Sequence, residues 1–146
     1  NFPANRNMLI LWDHGGGSIS GYGYDEKFAR TGSMDLAEIN TALKEADVVF
    51  DFIGFDACLM ATLETALMLA PYADYMIASE ETEPGVGWYY TDWLTALGEN
   101  TSMPTIEIGK NIVDTIKLLI LGFIYSIIPA IIGSIIVFLF AIIDEG

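Results

Sequence analysis

The chain has 146 residues, of which six are basic and twenty acidic, for a net charge of -14. That length favours one domain, and the acidic balance argues against a nucleic-acid partner, whose phosphates need a basic footprint. One cysteine excludes an internal disulfide, and with one histidine it cannot furnish a zinc site by itself.

Met8 to Trp12 is continuously apolar, as expected of a parallel strand covered on both faces. His14, the only histidine, then opens a loop, His14-Gly15-Gly16-Gly17-Ser18. The triple glycine is no phosphate loop, because the Gly-Lys-Ser/Thr that would follow is missing. Gly21, Gly23 and Gly32 are expected to keep Ser18 to Ser33 flexible or tightly turned, and Lys27 and Arg30 lie in this stretch. A helix follows, with Ser33 as candidate N-cap, Asp35 in its first turn, and Leu36, Ile39 and Leu43 at helical spacing.

Val48 to Ile53 reads as a second strand ending at Gly54. Cys58 comes shortly after, ahead of a helix over Leu59 to Ala70 with Leu59, Leu63, Ala66, Leu67 and Ala70 as its apolar stripe. Pro71 stops that helix. Tyr75 to Ser79 is a short third strand, and Glu80 to Trp88 a loop. Thr91 or Asp92 would cap a short helix through Leu97, and Pro104 to Lys117 forms a helix continuing into an apolar tail.

Strands alternating with helices predict βαβ units and a parallel sheet, whose ligand sites lie beyond the carboxyl ends of the strands. His14, Cys58 and the Glu80–Trp88 loop all follow strand ends and are expected on one edge. A thiol at a strand-to-helix turn sits where backbone N–H groups and a helix N-terminus can stabilise a thiolate. Cys58 and His14 so placed read as a nucleophile and its base, acting on a carbonyl carbon and on the leaving amine. The backbone of Gly15 to Gly17 would place an N–H at the developing oxyanion beside that of Cys58. Either residue alone has a plainer reading, an inert core thiol or a structural histidine.

The blocks Leu11-Trp12-Asp13-His14-Gly15-Gly16-Gly17 and Phe55-Asp56-Ala57-Cys58-Leu59-Met60 resemble the clostripain family of cysteine peptidases. That family belongs to the caspase-like clan, with gingipain, legumain and separase. Ala78 to Trp88 extends the likeness, which covers about residues 8–100. The resemblance implies an α/β, caspase-like three-layer sandwich with a mainly parallel sheet. It implies a Cys58–His14 dyad, with the Gly15 and Cys58 amides as oxyanion hole. It also implies that Asp56 sits at the base of the pocket for the residue before the cut, pairing there with arginine or lysine. The plain alternative is that Asp56 caps the following helix or a turn. The Glu80–Trp88 loop would form a wall of that pocket. Family members commonly mature by cutting themselves after a basic residue, which makes Lys27 and Arg30 candidate sites; two solvated loop charges are the bland reading. No cofactor is required, although some relatives need calcium; this chain is acidic enough to bind it but lacks EF-hand-like spacing. Implied partners are proteins or peptides with basic residues, and the implied location is extracellular or in the cell envelope.

The family's catalytic domain is longer, so the sheet is expected to be incomplete here. The chain divides into a partial peptidase domain over 1–103 and a helix over 104–146. Leu118 to Ile143 carries no charge and exceeds the roughly 20 residues that span a bilayer. As a membrane anchor it would use Gly122, Ser126, Ala130 and Ser134 as a small-residue stripe, with Pro129 as a kink. Lys110 and Lys117 against Asp144 and Glu145 would leave the catalytic side in the cytoplasm, at odds with a secreted-type peptidase. An out-of-frame sequence from A/T-rich codons and a buried core helix are the other readings. The functional expectation is a cysteine endopeptidase cutting after Arg or Lys. The alternatives are a truncated, inactive, membrane-attached relative acting as a binding module and, more remotely, an amidase.

Overall fold

A computed structural model describes residues 4–127 and 137–141, with side chains for 4–116. The chain forms two compact units, Asn1–Glu83 with Ile136–Gly146, and Pro84–Ile135.

The first unit is built on a four-stranded sheet in the order β1 (Met8–Trp12), β2 (Phe52–Asp56), β3 (Tyr75–Ser79) and β4 (Val137–Ala141). The first three strands are parallel, and β4 runs antiparallel to β3. A short helix, α1 (Gly17–Ser20), and α2 (Leu36–Ala46) lie between β1 and β2; α3 (Leu63–Leu69) lies between β2 and β3. Both crossovers step the same way across the sheet, so right-handed connections set α2 and α3 on one face. There Ile53, Phe55, Met76 and Ala78 form one core with Ile39 and Leu43 of α2 and Leu69 of α3. Phe52 and Ile77 alternate to the other face and are buried too, which is why β2 and β3 read as unbroken apolar runs. Each of these large side chains contributes about 1.5–3 kcal/mol by leaving water.

Several boundaries differ from the sequence reading. β2 starts at Phe52 and runs through Gly54 to Asp56, because its register is set by pairing with β1, Met8 opposite Phe52 and Trp12 opposite Asp56. Asp35 caps α2 in place of Ser33. It accepts from Glu38 N–H at 2.8 Å, while Glu38 accepts from Asp35 N–H at 2.9 Å, a reciprocal capping box. α3 begins only at Leu63, capped by Thr62, whose hydroxyl accepts from Thr65 N–H at 3.1 Å. Of the apolar stripe predicted for it, Ala66 packs against the core, but Leu63 and Leu67 are 69% and 67% exposed, while Thr65 and Leu69 are buried.

In the second unit α4 (Tyr90–Glu99) packs with α5 (Thr105–Ile127). Tyr89, not Thr91 or Asp92, is the N-cap of α4. Ile108, Ile112 and Ile116 of α5 are buried at four-residue spacing. The apolar helix expected through 118–143 ends at Ile127, and Val137–Ala141 is a strand. Valine and phenylalanine there suit a strand, and its backbone satisfies the outer edge of β3. Among the described residues no helix is long and apolar enough to cross a membrane. Pro129, Ala130, Ser134, Asp144 and Glu145 lie outside the described residues.

Candidate active site

The register of β1 and β2 sets the geometry. Trp12 pairs with Asp56, so His14 and Cys58 each follow the last residue of neighbouring parallel strands at the same edge. Beyond β1 the chain takes the tightly turned of the two courses its glycines allow. Gly15 pairs with Tyr22, and Tyr22 with Met34, both antiparallel. Gly16 N–H donates to Gly21 O and Gly23 N–H to His14 O, each at 2.8 Å. These bonds flank Gly15, so the Gly15 N–H turns away from the Tyr22 strand. The Asp13 carboxylate accepts from the His14 and Tyr24 N–H groups, which ties the backbone at His14 to that at Tyr24. The His14 side chain stays exposed.

Glycine at position 15 is dictated by close approach. A Cβ there would strike the carbonyl oxygen of Cys58 and come within 2.9 Å of Met60 Cγ. Gly17, at φ +70°, lies against the next carbonyl, with its Cβ position 3.2 Å from Leu59 O. The glycine loop is therefore seated on the turn that carries the thiol.

That turn is not the helix N-terminus anticipated from sequence. Residues 58–61 instead run antiparallel to the segment leaving β3. Leu59 N–H donates to Glu81 O at 3.0 Å and Ala61 N–H to Ser79 O at 2.9 Å. Cys58 is half-buried, and its Sγ accepts from Glu83 N–H at 3.3 Å and lies 4.0 Å from Glu83 O. A backbone N–H, that of Glu83, meets the sulfur in place of a helix N-terminus. Leu59 sits at φ +63°, a left-handed conformation uncommon for a side chain of its size.

Asp56 ends β2 and is only 3% exposed. It does not cap α3, a role held by Thr62. Tyr22 stands beside it. The Tyr22 ring meets Phe55 edge-on at 5.7 Å, and its hydroxyl is pushed up to about 12 by burial and by the negative charges of Asp13 and Asp56. Sequence reasoning passed over Tyr22, although Gly21-Tyr22-Gly23 marked a tight turn presenting one aromatic. It also passed over Leu59 and Glu83, whose parts are played by backbone.

Lys27 and Arg30 lie on exposed 3-10 turns over Glu26–Thr31, kinked at Phe28, with Asp25 accepting from Lys27 N–H at 2.8 Å. Of the loop anticipated at Glu80–Trp88, residues through Glu83 flank the thiol turn, and the rest belongs to the second unit. Among the described residues no group of three or more His, Cys, Asp or Glu side chains is placed to hold a metal ion.

Residues 1–118 match the model of the clostripain family. The chain is 32% identical over 107 residues to clostripain of Hathewaya histolytica, an alignment taking 62% of this chain and 20% of that protein. A solved structure of a secreted C11 cysteine protease from Bacteroides thetaiotaomicron, in complex with an irreversible peptide inhibitor, is 32% identical. It superposes with a TM-score of 0.64, covering 76% of this chain and 32% of that one. An inactive zymogen C11 protease from Parabacteroides distasonis is 31% identical with a TM-score of 0.50, over 65% of this chain and 26% of that one. The chain thus spans about a third or less of the length of these relatives. With its parallel sheet and its two motifs at one sheet edge, the chain belongs to the clostripain family of cysteine proteases.

Proposed function

We propose that the chain carries the nucleophile, the base and the selectivity carboxylate of a cysteine endopeptidase that cuts after Arg or Lys. His14 takes the thiol proton of Cys58, and the thiolate attacks the scissile carbonyl carbon. The oxygen that becomes negative is met by the N–H groups of Gly15 and Cys58. The same imidazole protonates the leaving amine, then activates the water that hydrolyses the thioester. Asp56 pairs with the guanidinium or ammonium of the residue before the cut. Its burial strengthens that attraction, since little water screens it.

The reading rests above all on the β1–β2 register, Trp12 opposite Asp56, with Gly15 seated on the Cys58 carbonyl. Self-processing after Lys27 or Arg30 belongs to the same reading and is supported by their exposure. An extracellular or envelope location is supported by the relative described as secreted.

The test is hydrolysis of paired fluorogenic peptides ending in Arg or in Asp, by wild type and Cys58→Ala, with and without calcium. Arg-peptide cleavage that vanishes in the variant is the expected result. No turnover of either peptide by folded protein would reject the endopeptidase and favour a non-catalytic binding module. Mass spectrometry of the same samples should find a nick after Lys27 or Arg30 in wild type alone.

A further inference from the structure

We propose that the backbone N–H of Glu83 is a dedicated anion-stabilising group for the Cys58 thiolate, held in place by the strand-like pairing of 58–61 with 79–83. The proposal rests on the reading of Cys58 as nucleophile and adds a group to it.

The contact is asymmetric in a way that favours one ionisation state. The N–H, 3.3 Å from Sγ, can only donate, so it serves a thiolate fully and a thiol weakly. The alternative partner for a thiol, Glu83 O, is 4.0 Å away, at the limit of a sulfur hydrogen bond. Moving the proton off the sulfur therefore keeps the good contact and gives up the poor one.

The donor is also preorganised. Two backbone bonds fix the segment that carries it, Leu59 N–H to Glu81 O at 3.0 Å and Ala61 N–H to Ser79 O at 2.9 Å. The Ser79 hydroxyl, on a residue 1% exposed, accepts from Glu81 N–H at 3.1 Å and braces the bend between them. On the other side, the left-handed backbone of Leu59 turns the chain directly after the sulfur. With α3 beginning only at Leu63, this amide supplies the stabilisation a helix N-terminus supplies elsewhere.

Because Cys58 is the only cysteine, its alkylation by iodoacetamide reports this one sulfur and needs no turnover. Glu83→Pro deletes the N–H, whereas Glu83→Ala keeps it. Pro84 already biases residue 83 toward the extended region, which a proline can adopt. A hydrogen bond to a charged acceptor shifts an ionisation equilibrium by about tenfold or more. Part of this is offset because a better-stabilised thiolate is a weaker nucleophile, with a Brønsted slope of about 0.4–0.5. The net expectation at neutral pH is alkylation about three- to fourfold slower in Glu83→Pro, and within about twofold of wild type in Glu83→Ala. Equal rates in wild type and folded Glu83→Pro would overturn the proposal, as would equal slowing in both variants. If Glu83→Pro does not fold, the Glu83 amide proton of 15N-labelled wild type is compared with that of Cys58→Ala. An upfield move on losing the sulfur is expected, and an unmoved resonance overturns the proposal. Failure of the peptide hydrolysis assay leaves these readouts intact, so the two readings fail separately.

Discussion

Replacing Gly15 by alanine tests the contact on which the site geometry depends. The added methyl would collide with the Cys58 carbonyl oxygen, sit 2.9 Å from Met60 Cγ and 3.1 Å from the Cys58 carbonyl carbon. Met60 has no exposed surface into which to swing. The Cys58 carbonyl belongs to a backbone pinned through the neighbouring Leu59 N–H. Relief must come from separating the His14 loop and the thiol turn. Overpacking of this kind costs about 1–3 kcal/mol, and the upper half of that range is expected because the obstacle is backbone. At about 4 °C per kcal/mol for a chain of this size, melting should fall by roughly 8–12 °C. Displacing reacting groups by about 1 Å costs on the order of a hundredfold in rate, so peptide hydrolysis should fall further than stability alone explains. Gly85→Ala is the control, since its added methyl meets nothing within 4 Å. Circular dichroism melts of both variants decide the matter. Gly15→Ala melting within about 2 °C of the Gly85→Ala control, with unchanged hydrolysis, would refute the reasoning.

Four further outcomes are expected. Leu59→Val should cost about 1–2 kcal/mol in urea unfolding, because a β-branched side chain tolerates φ +63° poorly, while Leu59→Gly should come within about 0.5 kcal/mol of wild type. Asp35→Ala, which deletes the capping box of α2, should cost about 1 kcal/mol by the same measurement. Tyr22 is raised to about 12 in the folded chain from an ordinary value of 10.0, so the folded state holds this proton longer than the unfolded one. Its stabilising contribution is complete below pH 10 and lost as pH climbs toward 12, so urea midpoints should fall more steeply over that window in wild type than in Tyr22→Phe; parallel curves would rule this out. Asp56→Asn should cut kcat/KM for an Arg peptide by more than about a hundredfold, the scale of losing one partner of a desolvated charge pair, while Cys58 alkylation stays within about twofold.

Strands β1 and β3 were legible residue for residue, because continuous apolar runs bounded by polar or glycine residues have few other readings. Their parallel order followed from the intervening helices, and with it the shared edge of His14 and Cys58. What escaped was decided by partners distant in sequence. Residues 59–62 have the composition of a helix, yet Leu59 and Ala61 give their N–H groups to Glu81 and Ser79, and α3 waits for Thr62. Val48 and Val49 have strand propensity, but the register with β1 starts the ladder at Phe52. The uncharged tail invited a single membrane-length helix, and only the open edge of β3 explains why Val137–Ala141 extends instead. Tyr22 carries no local signal of its proximity to Asp13 and Asp56 beyond the glycines on either side.

The pairing of Tyr22 with Met34 has a consequence for a chain that is cut. Two backbone bonds, Tyr22 N–H to Met34 O at 2.9 Å and Met34 N–H to Tyr22 O at 2.8 Å, close the neck of the excursion that holds Lys27 and Arg30. A break after either residue falls outside that clasp, and β1 and β2 remain zipped beneath it. The two polypeptides would travel as one particle on a native gel and part only in detergent, so cutting this loop need not release the histidine-bearing piece from the cysteine-bearing one.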